Sequence, residues 1–498
     1  MNSTPASPEA APRLARIIPR DGHSISRSRI SPDALRVLYR LREAGFQAYL
    51  VGGCVRDLML GLEPKDFDVA TDALPEQVKR LFRKCRWVGR RFRLAHVFFG
   101  RNIIEVATFR ASGAPLPVDE PVPTREELEE TEVIEVDGED LADEVAEPLG
   151  DSRDVHDFDE SLERVGDESG RILRDNIYGS IDDDVWRRDF TCNALYYTIA
   201  DFSVWDYCGG FEDVAARRLR LIGDPETRYR EDPVRMLRAA RFEAKLGFGI
   251  ESATAEPIDR LSELLAGVPA ARLFDETLKL FLTGHGARSY AVLKQRGLLE
   301  ALLPNLADFV RRYPGSAPER MLVRGLANTD ARVMADKPVT PAFLFALLIY
   351  GPVVVEIEKA PRTHWNAIGT ILDAVDHAMR VIQPRVAVHR RFVLGLRDMF
   401  ALQPRLEAPR GRRALRTLEH PRFRAGFDLL QLRAEFGMAD AGIVRWWEQM
   451  QAANPQQRAL LSEASAGAPA AGGAGAAGRR RGRRRGRGGR GRGGGGAS

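Results

Sequence analysis

Cysteine is scarce in this 498-residue chain, and the four present, Cys54, Cys85, Cys192 and Cys208, stand far apart. No two have the short spacing of a zinc site, and so thin a supply excludes a disulfide-stapled scaffold. Reduced thiols in a reducing compartment are the expectation. Long apolar runs are lacking too. The most apolar stretch, VTPAFLFALLIYGPVVV around 340–354, is short, carries Pro341 and Pro352, and reads as a core helix rather than a membrane span. Arg13, Arg16 and Arg20 interrupt any apolar run near the start, so no signal peptide is read there. The expected location is the cytoplasm, with no stable membrane insertion.

Each sign of charge is missing from one region. From Asp119 to Glu168 there are 22 acids against three arginines, whereas Arg479 to Arg492 holds nine arginines and no acid. The overall net charge of +4 therefore averages two blocks of opposite character. The acidic block has few aromatics and breaks every periodic pattern, so 112–168 reads as a disordered insertion. The Arg/Gly stretch is low-complexity and cannot bury a core. It resembles segments that hold nucleic acid by charge and stacking.

Between these blocks the chain divides into five parts. Residues 1–24, rich in Pro and Ala, are expected to be mobile. An α/β domain follows over 25–222. Its first helix starts near Ser31 as N-cap, with Pro32 at the first helical position and Gly45 as the stop. Strands at 47–52, 66–70, 94–99 and 102–109 and a helix at 75–84 form a small mixed sheet with helices. After Asp224 helical periodicity dominates, giving an all-α region divided at 223–300 and 301–455. Residues 456–498 make the disordered basic tail.

The chemistry concentrates in four motifs. In LVGGCVRD and KDFDVAT, the paired glycines Gly52 and Gly53 end one strand, and Asp66 and Asp68 stand one residue apart on the next. Alternate side chains of a strand point the same way, so the two carboxylates share a face. Acids so close repel unless a cation sits between them, and Mg²⁺ suits oxygen ligands of this kind. Backbone N–H groups of the glycines can approach a phosphate. Glu105 in NIIEVATFR is either a third metal-facing carboxylate or the partner of a nearby arginine. RRDFTCN brings Arg187, Arg188, Asp189, Thr191 and Asn193 together; an arginine there can grip a phosphate, with Asp189 locking it or helping position the reactive groups. In REDPVRMLRAARF, Asp232, Arg235, Arg238 and Arg241 fall at i, i+3 steps, so one helix face carries a carboxylate and three guanidiniums. Asp232 reads as an N-cap before Pro233, and the apolar residues between the arginines leave that face open to a ligand. A carboxylate accepting from an exocyclic amine, with an arginine donating to the adjacent ring nitrogen, reads adenine; cytosine shows the same edge.

In order, LVGGCVRDLMLGLEPKDFDVAT, RRFRLAHVFFG, IIEVATFR, RRDFTCNALYY and GDPETRYREDPVRMLRAARFEAKLGF resemble the class II nucleotidyltransferases of the DNA polymerase beta superfamily. That group contains the tRNA CCA-adding enzymes and the bacterial poly(A) polymerases. RRFRLAHV, IGDPETRYREDPVRMLRA, IIPRDGHSIS and PRFRAGFDLLQLRAE are especially similar to the polymerase branch. The resemblance implies an α/β head followed by helical neck, body and leg segments. It assigns catalysis and metal binding to Asp66 and Asp68, with Asp189 as a further active-site acid. Triphosphate contacts fall to Gly53, Arg56 and Arg188, and base reading to Asp232 and Arg235, supported by Glu231, Arg238 and Arg241. The acidic insertion and the Arg/Gly tail depart from the family pattern without touching these motifs.

The function expected on this basis is template-independent addition of AMP from ATP to RNA 3′ ends, with two Mg²⁺ ions as cofactors. Polyadenylation of this kind promotes RNA decay, so RNA, ATP and the RNA-decay machinery are the expected partners. A CCA-adding enzyme shares all of these motifs. A non-catalytic RNA-binding protein would need none of the acids.

Overall fold

The computed structural model describes residues 14–88, 94–111 and 178–466, together with the backbone of two short strands near residue 170. Its first part is the expected α/β head. The strands are β1 (Arg16–Ile18), β2 (Ala48–Val51), β3 (Asp68–Thr71), β4 (Cys85–Val88), β5 (Leu94–Phe99), β6 (Asn102–Thr108), β7 (Arg164–Gly166), β8 (Ile172–Asp175), β9 (Leu195–Thr198) and β10 (Val204–Asp206). Eight of them form one sheet in the order β1-β10-β9-β2-β3-β6-β5-β4, and β7 pairs with β8 apart from it. Only β3 and β6 run parallel within the large sheet.

Strand alternation divides the sheet's two faces. Leu50, Val69, Ile104 and Val106 point to the main core, while Tyr49, Val51, Ala70 and Tyr196 build a smaller one on the opposite side. Helix α1 (Pro32–Glu43) covers the first face with Ala34, Val37, Leu38 and Leu41, spaced to form one apolar stripe. Ser31 occupies its N-cap position but makes no side-chain capping bond; the helix start rests on Pro32 and on Asp33 in the first turn. The helix ends as expected, with Gly45 at φ +88°. Helices α2 (Gly53–Met59) and α3 (Pro75–Leu81) complete the first half, α3 stopping early because β4, absent from the sequence reading, begins at Cys85.

Three boundaries differ from expectation. Residues 16–18, placed in a mobile N-terminus, form the edge strand β1, paired with β10 through Ile17↔Trp205. β7 falls inside the span 112–168 expected to be disordered, the rest of which lies outside the described residues. Beyond residue 455 the chain continues as a helix, Pro455–Ala466, before the Arg/Gly stretch, which also lies outside them.

Helices α4 (Ile181–Arg187) and α5 (Gly210–Ala215) close the head. Then α6 (Pro225–Glu231), α7 (Val234–Leu246), α8 (Ser252–Leu261) and α9 (Ala270–Phe281) open an all-helical region. The main core runs unbroken from the head through α7 and α9 into this region, from Ile18 to Leu432. Its apolar centre is the helix Pro341–Glu358, one helix among the described residues long and apolar enough to cross a membrane; here Leu344 to Gly351 and Val353 are buried. A separate cluster around Leu402, Phe427 and Trp447 holds the last helices together.

Gly351 in that apolar helix shows how tightly it is packed. Glycine inside a helix costs about 1 kcal/mol relative to alanine. Yet a Cβ at this position would lie under 3 Å from the ring of Phe309, itself buried. Overpacking costs about 1–3 kcal/mol and outweighs the gain in propensity. Gly351→Ala is therefore expected to lower the melting temperature; an unchanged or higher value would mean the Phe309 ring yields freely.

Candidate active site

The site begins where β2 stops. Gly52 has φ +80°, a conformation that side chains other than glycine's adopt at a cost. A Cβ there would also stand 3.6 Å from Oδ2 of Asp68. The glycine pair thus turns the chain sharply beside the first residue of β3, which pairs with Val51 across the strands. Asp68 is half-buried at that strand end, and Asp66, exposed, precedes the strand by two residues.

Asp68 shares its sheet face with Glu105, its direct neighbour on β6, and with His96 opposite Glu105 on β5. His96 Nε2 lies 3.5 Å from Glu105 Oε1, so among the described residues a histidine stands beside Glu105. Burial pushes the Asp68 carboxyl up to about 6; Glu105 and Asp66 push the same way, and Arg188 opposes them. Negative charge gathers here without full compensation, which suits a hard divalent cation with oxygen ligands. Among the described residues no three His, Cys, Asp or Glu side chains are closed around one point to hold a metal.

Arg188 is fixed beside this face. Its Nε and Nη2 donate to Asp184 Oδ2 at 3.1 and 2.8 Å, and Nε also donates to Tyr196 Oη at 2.7 Å. Tyr196 in turn donates to Asp184 at 2.7 Å, and the guanidinium lies 5.0 Å from its ring centroid. Arg56 is placed differently from a side chain open to ligand: it is 2 % exposed. Its Nε and Nη2 donate to Asp57 Oδ1 at 2.9 and 2.7 Å, and Nη1 to Asn193 Oδ1. A Cβ on Gly53 would stand 3.2 Å from Nη2, so Arg56 braces the glycine turn from below.

The remaining candidates form a lattice of ion pairs between head and helices. Asp189 Oδ1 accepts from the Phe190 amide at 2.7 Å and from Asn193 at 3.3 Å. Oδ2 accepts from Arg238 Nε at 2.8 Å and from its Nη2. Burial alone would push Asp189 up, but Arg238, the Phe190 amide and Asn193 hold it well below the usual carboxylate range. Asp189 therefore locks Arg238 on α7, and not the adjacent Arg188. Arg235, 8 % exposed, donates through Nη1 to the Arg228 carbonyl at 2.8 Å and to Glu231 at 3.2 Å. Arg241 donates to Glu276 on α9 at 2.7 Å.

The arginine face of α7 is thus not open, as its spacing suggested: each guanidinium already has an acid. Asp232 also differs from expectation. It caps the C-terminus of α6, with Pro233 preceding α7, and its carboxylate receives Arg272 of α9 through two bonds. Asp184, Tyr196, Arg228, Glu276 and Arg272 were not singled out from the sequence. Asp184 had a local signal, four residues before Arg188 on one helix face; Glu276 and Arg272 come from another helix and had none.

The raised Asp68 carboxyl has a consequence for stability. Its folded value of about 6 lies above the ordinary 3.8, so the protonated form is the one the fold favours. The group's contribution is intact below about pH 4 and is lost as pH rises toward 6. Two units correspond to about 2–3 kcal/mol at neutral pH. Asp68→Asn is expected to raise the metal-free melting temperature at pH 7.5, with the gain shrinking toward pH 5. Mg²⁺ should stabilise the wild type more than the variant. Equal melting curves at both pH values would refute the account.

The sequence matches three families: "Poly A polymerase head domain" over residues 48–220, "Probable RNA and SrmB- binding site of polymerase A" over 247–310, and "Polymerase A arginine-rich C-terminus" over 364–487. The chain is 45% identical to Poly(A) polymerase I of Salmonella typhi over 455 residues, 90% of this chain and 88% of that one. It is 31% identical to a CCA-adding enzyme of Bacillus velezensis over 276 residues, 55% of this chain and 56% of that one. Its fold is similar to that of a tRNA nucleotidyltransferase solved with a primer tRNA and an incoming ATP analogue. The TM-score is 0.50 at 19% identity, over 84% of this chain and 98% of that one. The long match favours the polymerase branch, since similarity to the CCA-adding enzyme covers little more than half the chain. With its head, neck and arginine-rich region all matched, the chain belongs to the poly(A) polymerase family of nucleotidyltransferases, the enzymes that polyadenylate RNA.

Proposed function

We propose that this chain extends RNA 3′ ends with AMP from ATP, without a template, through chemistry centred on Asp68 and Asp66. The observation that carries this is the half-buried Asp68 at the glycine turn, where Asp66 and Glu105 add negative charge that suits a bound cation. Two Mg²⁺ ions held by Asp66 and Asp68 would supply charge neutralisation at the RNA 3′-hydroxyl and at the phosphates of ATP. Asp68 would be oriented by its strand and by the close approach of Gly52. Arg188, locked by Asp184 and Tyr196, would present fixed positive charge to the triphosphate at no cost of reorganisation during reaction. Arg56 would act indirectly by holding the turn through which Gly52 and Gly53 approach the phosphates. Asp189 would set the position of α7 relative to the head.

Base reading falls to Asp232 and Arg235, with Arg238 joining α7 to the head. The head runs from β1 to residue 222, the neck that reads the base and begins the RNA path covers 223–300, and the body and leg that hold RNA run from 301 to the end of the helix Pro455–Ala466. The nine arginines between Arg479 and Arg492 add charge for RNA. A cytoplasmic setting and a link to RNA-decay machinery follow from polyadenylation as a mark for decay.

Extension of a generic RNA and of a tRNA ending in CC, each with single nucleotides and Mg²⁺, tests this reading. A long A tail on the generic RNA is expected. A single A on the tRNA alone would make the chain a CCA-adding enzyme, and no extension would make it a binder. Asp68→Ala or Asp66→Ala is expected to abolish addition while leaving RNA affinity intact. Retention of a tenth of the wild-type rate (about 1.4 kcal/mol) at saturating Mg²⁺ would remove these acids from the metal site. Arg235→Ala should relax the preference for ATP by about 1–3 kcal/mol of discrimination. An unchanged ATP-to-UTP ratio of kcat/KM would place base reading elsewhere.

A further inference from the structure

Asp232 is gripped by a residue that no motif signals. Arg272, on α9, donates Nη1 to Oδ1 at 2.8 Å and Nη2 to Oδ2 at 2.7 Å, two parallel bonds that fix the plane of the carboxylate. Arg272 is itself mounted on a rigid helix. Leu273 and Phe274 beside it are buried. Phe274 stacks on Phe345 with ring centroids 6.1 Å apart and meets His389 edge-on at 5.0 Å. One turn further along, Glu276 receives Arg241 of α7, so α9 holds both α7 and the break between α6 and α7 where Asp232 stands. The Arg272 side chain is 33% exposed and that of Asp232 13%, which leaves the pair within reach of a ligand.

We propose that Arg272 is a specificity-determining positioning residue, making Asp232 an oriented, acceptor-only group that admits bases bearing an exocyclic amine and rejects those bearing a carbonyl there. This rests on the assignment of base reading to Asp232. A carboxylate has about four lone-pair directions; the guanidinium fork takes one on each oxygen and thereby sets the direction of the others. An ionised carboxylate has no hydrogen to donate, so it accepts from the amine of adenine or cytosine and repels the carbonyl of guanine or uracil. Without the fork the carboxylate can turn, or take a proton and become a donor to that carbonyl. Arg272 therefore acts on ATP against UTP and GTP. It acts far less on ATP against CTP, whose base shows the same amine.

The test uses the full-length chain as wild type, Arg272→Gln and Arg272→Lys, with kcat/KM measured for each of the four nucleotides on a generic RNA. Arg272→Gln is expected to lower the ATP-to-UTP and ATP-to-GTP ratios by about tenfold or more, with a much smaller change in ATP-to-CTP. Arg272→Lys keeps the charge but not the fork, so it should recover part of the lost discrimination. Equal loss for all four nucleotides would show a merely structural role, and unchanged ratios would show none in selection; either overturns the proposal. If the glutamine variant melts below the assay temperature, the lysine variant decides by the same two ratios. A wild type that makes no A tail would sink the polymerase reading itself. A wild type that polyadenylates beside variants with intact ratios would sink only the role of Arg272.

Discussion

The ion pair between Asp189 and Arg238 is the constraint on which the rest of the site depends. It is the joint between the head, which carries Asp66 and Asp68, and α7, which follows the Asp232–Pro233 break. Template-independent synthesis needs the phosphates of a nucleotide at one end and its base at the other, a separation fixed by the nucleotide itself. Protein groups that read both ends must hold that spacing without help from a template strand. Asp189 does this from a buried position, with both oxygens filled, and the same residue anchors Asn193, which receives Arg56 below the glycine turn. A single carboxylate thus ties the glycine turn to α7, the two places to which the proposed reading assigns the phosphates and the base. Half-buried pairs of this kind contribute little net stability, but removing one partner leaves the other uncompensated. Their value here is geometric.

A second set of pairs carries α7 into the helical region. Arg241 meets Glu276 and Asp232 meets Arg272, both partners on α9, whose other face packs Phe274 against Phe345 and His389. The break at Asp232 and α7 are therefore built on the same core as the later helices. Head and neck are not separate bodies joined by a tether; the main core crosses between them without a gap.

Much of this was legible in the sequence because it is local. A glycine pair, two acids one residue apart and a strand pattern are enough to place Asp66, Asp68 and Gly52, and Asp68 does stand beside Gly52. Parallel register between β3 and β6 brings Glu105 level with Asp68, with His96 beside it. What failed was any inference about partners distant in sequence. Helical spacing showed that Arg235, Arg238 and Arg241 share a side, but it says nothing of what comes to meet them. Asp189 and Glu276 approach from other elements, so a face that looked open is occupied. Asp232 misled for a local reason: a proline after an acid looks like a helix start, yet here it marks the break between two consecutive helices. β1 was missed because three residues of edge strand are too short for any period to show.

The crowding of Asp68 against Glu105 and Asp66 reaches beyond catalysis. A fold that carries uncompensated charge at its working centre is at its weakest when idle, and anything that binds there returns free energy to the folded state. Marginal differences of that size change how much protein survives quality control in a cell. Binding of a cation or a nucleotide at that centre would then protect the folded chain against unfolding, and loss of either would leave it easier to open.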